Sequence, residues 1–195
     1  MQDIPHRRLF TIEEWERLVD ARIFPEYEKL ELIRGELITL APVRDLRLQL
    51  LRRRQAGCVR GLNRQLNLLL KSRALVDVQG HILLWKQQSE PQPDLCLLRV
   101  LEDFYATRTP EPEDILLVIE VAGSSLPYDR DTKISLYAEA GIPESWLVDL
   151  NSDTLHVYRR PSPEGYKDVR AYRRGESVAP EAFPDVLFTL DEMLG

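Results

Sequence analysis

The sequence predicts an α/β fold built on a mixed central β-sheet flanked by helices, and three observations lead there. Ile115-Leu-Leu-Val-Ile-Glu-Val121 is almost continuously apolar, the pattern of a strand covered on both faces. Stretches with helical spacing stand before and after it, over residues 45–71 and 129–140. The remaining runs are short and β-rich, with turn residues between them, so strands and helices are interleaved along the chain.

Taken in order, Thr11-Ile-Glu-Glu14 is a capping box, and Trp15, Leu18 and Val19 follow at helical spacing, which predicts a helix over 11–21. Residues 30–40 read as extended structure around a turn at Arg34-Gly35, a hairpin. A longer helix is expected over 45–71, with Leu48, Leu51, Leu62, Leu66 and Leu69 turned to the core and Gly57 and Gly61 as points of interruption. Strands are expected at 75–78, 81–85 and 94–98, then a polar, proline-bearing loop to Glu113 and the apolar strand at 115–121, read as central. Residues 123–127 read as a loop and 129–140 as a helix stopped at Gly141. Strands at 145–149 and 154–158 join through a turn at 150–153. The tail predicts one more strand pair around 166–172 and a closing segment over 183–194.

The 195 residues fit a single domain over 1–195, and 44% hydrophobic with 30% charged content is that of an ordinary soluble globular protein. No run approaches the roughly 18 apolar residues of a membrane span, and the N-terminus lacks the apolar core of a signal peptide, so a cytoplasmic location is expected. Cys58 and Cys96 are far apart in no paired motif and read as buried thiols, which gives neither a disulfide framework nor a structural zinc site. A net charge of −6 argues against a protein that coats nucleic acid through bulk charge. Its distribution is uneven: between Arg44 and Arg73 nine bases face one acid, a local net of +8.

Phosphate-loop, dinucleotide, zincin and nucleophile-elbow motifs are all absent, and His6, His81 and His156 each stand alone in the sequence. What is left is carboxylate chemistry. Asp94 opens a strand directly after Pro93, and Glu120 sits near the end of the most apolar strand, where an ionised carboxylate needs a compensating charge. A hard cation such as Mg²⁺ would supply it, as would an ordinary buried ion pair. Lys133 lies four residues after Asp129 on the helix that follows that strand, so its ammonium is expected beside Asp94 and Glu120, orienting and helping to deprotonate a water. Asp129 and Asp131 suit helix N-terminal capping.

Glu31-Leu-Ile-Arg-Gly-Glu36, Gln92-Pro-Asp-Leu95, Val118-Ile-Glu-Val121 followed by Ser124-Ser125, and the run of Asp129, Lys133, Tyr137, Gly141-Ile-Pro-Glu144, Trp146 and Asp149 together resemble the Uma-two family of bacterial restriction-endonuclease-like proteins, within the PD-(D/E)XK nuclease superfamily. The resemblance runs from Thr11 to the end. It implies a restriction-endonuclease-like core, Asp94 and Glu120 as ligands of Mg²⁺ or Mn²⁺, Lys133 in place of the lysine usually found two residues after the acid, and Glu31 as a further acidic member of the catalytic set. Two departures stand out: position 122 is alanine, and Ala41-Pro42-Val43 replaces a serine-proline and histidine between hairpin and long helix. The function implied is endonucleolytic hydrolysis of DNA, with Arg52, Arg53, Arg54, Arg60 and Arg64 contacting phosphates and a homodimer suited to double-strand cutting. The alternative is a catalytically weakened nucleic-acid-binding or protein-interaction module on the same fold.

Overall fold

The computed structural model describes residues 7–25, 30–39 and 46–194, with side chains at these positions except 46–48. The expected helix start at Asp45, Arg44, and the side chains of Arg47 and Leu48 lie outside the described residues, as do Leu40 and His6. Helix α1 (Ile12–Asp20) begins on the capping box: the Glu14 amide donates to Thr11 Oγ1 and the Thr11 amide to Glu14 Oε2, each at 3.2 Å. Strands β1 (Leu30–Ile33) and β2 (Glu36–Thr39) form the hairpin. Arg34 and Gly35 both have positive φ, the primed turn that matches strand twist, and a Cβ on Gly35 would meet Phe10 O at 2.8 Å.

Helix α2 (Leu46–Leu70) runs straight through Gly57 and Gly61, where an interruption was expected. Apart from the chain neighbours and the helix's own backbone, no atom lies within 4 Å of where a Cβ on either glycine would stand, so each has room for one. Gly57→Ala with Gly61→Ala is therefore expected to raise stability by about 1–2 kcal/mol through helix propensity alone; a denaturant titration with an unchanged midpoint would show that the helix gains nothing there. Leu62, Leu66 and Leu70 are the buried stripe, whereas Leu69, expected to face inward, is exposed because the 3.6-residue period carries Leu70 to the core instead.

Among the described residues, six strands form the central sheet in the order β3 (Leu75–Val78), β4 (Leu95–Leu98), β5 (Ile115–Ala122), β6 (Glu144–Asp149), β7 (Thr154–Arg159) and β8 (Asp168–Tyr172). The β5–β6 pair is parallel and the other pairs are antiparallel, which makes the sheet mixed with β5 inside it. Parallel β6 requires a crossover from β5, supplied by helical α3 (Leu126–Tyr128), a π-helical segment (Asp129–Lys133) and α4 (Ile134–Glu139). Alternation along β5 sends Leu117, Ile119 and Val121 to the α2 face and Val118, Glu120 and Ala122 to the α4 face. Short strands β9 (Ser177–Val178) and β10 (Phe188–Thr189) pair separately, and α5 (Leu190–Leu194) packs beside α2.

Two expected strands differ. Residues 81–85 form no ladder: the Ile82 and Leu83 amides donate to Pro91 O and Pro110 O in neighbouring loops, and prolines offer no N–H in return. The expected pair around 166–172 is the single strand β8 on the edge of β7.

Candidate active site

The carboxylates predicted from sequence meet at one end of the β4–β5 ladder. Leu95 pairs with Ile119 and Cys96 with Val118; carried one residue further, this register sets Asp94 across from Glu120. Directly opposed cross-strand residues have Cβ atoms about 5 Å apart. The Val121 amide donates to Asp94 Oδ2 at 2.9 Å, and the Gln55 side-chain amide of α2 reaches the same oxygen at 3.2 Å. Both acids are buried, and both line a cavity of about 700 Å³.

Lys133 enters from the crossover. Its stem is buried, and Nζ lies 2.8 Å from Glu120 Oε1 and 2.9 Å from Glu31 Oε1, and donates to Gln92 O at 3.2 Å. It contacts Glu120 as expected, but its second carboxylate partner is Glu31 and not Asp94. The π-helical turn over Asp129–Lys133 widens the helix where both Asp129 and Lys133 turn inward; such local irregularities recur at functional sites. Glu31 arrives from the hairpin because Leu32 bridges Glu90 and holds β1 beside the Gln92 loop. Its Oε1 accepts from the Gln92 amide at 2.8 Å as well as from Lys133, and its Oε2 accepts from Tyr128 at 3.2 Å. Tyr137 Oη donates to Glu120 Oε1 at 2.6 Å from within the core.

The cavity therefore holds Glu31, Asp94, Glu120 and Asp129 against one buried ammonium. Burial pushes the Glu120 carboxyl up to about 8, with Lys133 opposing the shift. Asp129 is raised to about 6, again by burial first, with Lys133 and a hydrogen bond from Ser125 pulling it down. Lys133 loses by desolvation but gains more from Glu120, Glu31 and Asp129, so it stays charged well above the ordinary lysine range. A lysine held protonated has no lone pair to accept a proton with, so any help it gives in deprotonating a water comes through its charge. The buried Glu120 also finds part of its compensation inside the chain, from Lys133 and Tyr137.

Helix α2 divides the predicted basic cluster. Arg52 and Arg60 line the cavity on one helical face together with Gln55, Ala56 and Val59. Arg53 and Arg64 are exposed and are not part of that lining. Arg54 is turned away and bound to Asp153 and the Leu150 carbonyl, so it serves the protein's own β6–β7 turn. Asp129, expected as a helix cap, is not one, because the helical crossover already starts at Leu126; Asp131 pairs with its neighbour Arg130 at the surface. Gln55, Tyr128 and Tyr137 were not singled out for the site, since long-range partners of a helix glutamine or a core tyrosine leave no local pattern in sequence. His81, which looked isolated, lies 3.1 Å from Glu90. Among the described residues no group of three or more His, Cys, Asp or Glu side chains is arranged to hold a metal ion, so Asp94 and Glu120 would supply two ligands and no more.

A family model described as "putative restriction endonuclease", Uma2, matches residues 12–191. Among solved structures, a "putative nuclease belonging to DUF820" from Anabaena variabilis is similar with a TM-score of 0.65 at 17% identity, covering 95% of this chain and 97% of that one, a likeness of fold. No functionally curated protein matches the chain.

Proposed function

Because the chain belongs to the Uma2 family of proteins described as putative restriction endonucleases, we propose that it is a metal-dependent endonuclease that hydrolyses phosphodiester bonds of DNA on the PD-(D/E)XK plan. The observation that carries this reading is that Asp94, just before β4, and Glu120 on β5 both line a cavity whose wall also includes Arg52 and Arg60. The donor set fits a divalent metal. Asp94 and Glu120 both face the cavity, and Mg²⁺ is ordinarily held by one or two carboxylates with the rest of its shell left to water and phosphate. Bound by Asp94 and Glu120, Mg²⁺ or Mn²⁺ would polarise the phosphate and neutralise charge on the leaving oxygen.

The chain's own residues set the rest. Gln55 and the Val121 amide fix the Asp94 carboxylate, and Tyr137 fixes that of Glu120. Lys133, held charged with its three N–H donors on Glu120, Glu31 and the Gln92 carbonyl, places positive potential where the phosphate gains charge. Glu31 spends its oxygens on Lys133, Gln92 and Tyr128, and so acts as a positioning residue for the lysine. Arg52 and Arg60, on the wall of the same cavity, would contact the phosphate backbone. In the test, supercoiled plasmid is incubated with Mg²⁺, Mn²⁺ or EDTA, beside an Asp94→Ala variant. Nicking that requires both metal and Asp94 is expected; binding with no metal-stimulated cleavage would leave a nucleic-acid-binding module instead.

Salt dependence of DNA binding separates the arginines. Each neutralised phosphate contributes about −0.9 to the log–log slope on duplex DNA, so Arg52→Ala with Arg60→Ala is expected to flatten the slope by about 1.8. Arg54→Ala, whose guanidinium is occupied by Asp153, is expected to leave it unchanged. The reverse ranking in a fluorescence-anisotropy titration would place the phosphate path on another face of α2.

A further inference from the structure

A water that attacks phosphorus must give up a proton, and Lys133 cannot take it. Its ammonium stays charged, and its three N–H donors are spent on Glu120, Glu31 and the Gln92 carbonyl. The four carboxylates that line the cavity differ in what their oxygens already do. Glu31 has both engaged, Oε1 by Lys133 and the Gln92 amide, Oε2 by Tyr128. Glu120 gives Oε1 to Lys133 and Tyr137, and Asp94 gives Oδ2 to the Val121 amide and Gln55; these are the two acids proposed to hold the metal. Asp129 is left over.

Asp129 is only 6% exposed, and its Oδ2 accepts from Ser125 Oγ at 2.5 Å. Among the described residues nothing donates to its Oδ1. That oxygen is not sealed in: the fully enclosed side-chain atom without a partner among the described residues is Gln65 Oε1, so Asp129 Oδ1 opens on the cavity that Asp129 lines. The side chain does not serve the fold either. The helical crossover already starts at Leu126, and Lys133 pairs with Glu31 and Glu120 but not with Asp129. What the π-helical turn over Asp129–Lys133 achieves is to bury both of these side chains together.

The place of Asp129 among the other acids is bounded on two sides. It is near enough that its charge raises the Glu120 carboxyl and that Asp94 raises its own. It does not join Asp94 and Glu120 as a third ligand, since among the described residues no group of three such side chains is arranged to hold an ion. A hydrogen-bonded water fits between a carboxylate that is close to the metal position and one that is not part of it.

We propose that Asp129 is the general base of the hydrolysis: its open Oδ1 accepts a hydrogen bond from the attacking water and takes its proton as the water oxygen bonds to phosphorus. The phosphorus–oxygen bond to the leaving group breaks, the leaving oxygen takes a proton from solvent, and Asp129 returns its own to solvent. Ser125 is a positioning residue, which holds Oδ2 and leaves Oδ1 to the cavity. The assignment rests on the nuclease reading of this site and names the proton acceptor that reading requires.

The test uses the full chain with supercoiled plasmid at saturating Mn²⁺, beside calorimetry of Mn²⁺ binding alone. Asp129→Asn keeps the volume and can still accept from Ser125, but it no longer takes a proton. It is expected to bind Mn²⁺ as the parent protein does and to cleave about 10²- to 10⁴-fold more slowly, the range for losing one acid–base group. Asp129→Ala opens a space of carboxylate size, so added formate, acting as the missing base, should speed its cleavage about tenfold while leaving the parent protein and Asp94→Ala unmoved. Lost Mn²⁺ affinity in Asp129→Asn would make Asp129 a ligand and overturn the assignment, as would undiminished cleavage by Asp129→Asn or an Asp129→Ala that formate does not help. If Asp129→Asn does not fold, the formate arm decides. A parent protein that cleaves no plasmid would overturn this assignment together with the nuclease reading, whereas an active parent with an equally active Asp129→Asn would overturn this assignment alone.

Discussion

Lys133→Met is expected to lower metal-dependent DNA cleavage by about 10²- to 10³-fold, the range for removing one preorganised charge-stabilising donor, while leaving divalent-metal binding in place. Methionine keeps most of the buried stem and deletes the ammonium that sits between Glu120 and Glu31. The acids proposed to hold the metal, Asp94 and Glu120, are untouched, so affinity should hold or rise slightly, one competing cation having gone. Stability should fall, since removing one partner of a buried ion pair costs about 3–5 kcal/mol. The lower end is expected, because Glu120 is already raised to about 8 and can take a proton once the lysine is gone. Single-turnover cleavage at saturating metal, run beside a thermal melt, separates the two effects. A folded variant that cleaves within threefold of the parent protein would remove Lys133 from the mechanism.

The core of this site was legible because its residues sit where local pattern is strongest. Glu120 interrupts the most apolar strand of the chain, and Asp94 follows a proline at a strand start, so both stand out from their neighbours. Lys133 was placed by helix period and by the short run from β5, although the helix begins earlier, at Leu126, and passes through a wider turn. Its pairing with Glu31 rests on the Leu32–Glu90 bridge, which joins segments 58 positions apart and leaves no periodic trace. The expected strand at 81–85 failed for a related reason. Its side chains suit a sheet, but its amides meet proline carbonyls in loops, and only the fold reveals those partners. On α2 the basic residues were visible as a charge run, yet charge composition does not show that Arg54 points at Asp153 while Arg52 and Arg60 line the cavity.

Asp94→Asn and Glu120→Gln are each expected to remove the stabilisation that Mg²⁺ or Mn²⁺ gives the unmodified protein. Both changes keep side-chain volume and delete one of two hard anionic ligands. A ligand present at a hundred times its Kd stabilises the folded state by about 2.7 kcal/mol, which at this chain length shifts Tm by about 5–11 °C. The pH dependence identifies the Glu120 contribution. Its folded pKa is about 8 against an ordinary 4.5, so the stability its protonated form contributes is fully present below 4.5 and is lost as pH rises through 8. In EDTA the unmodified protein should weaken across that window, and Glu120→Gln, with no proton to lose there, should not follow it. Metal acts in the opposite sense. It competes with the proton for Glu120, so its affinity should climb between pH 6 and 8 and level off above. Melting curves with and without Mn²⁺ at pH 6 and pH 8.5 read this directly. A metal-induced shift that is equal at both pH values and survives in Glu120→Gln would place the metal away from β5.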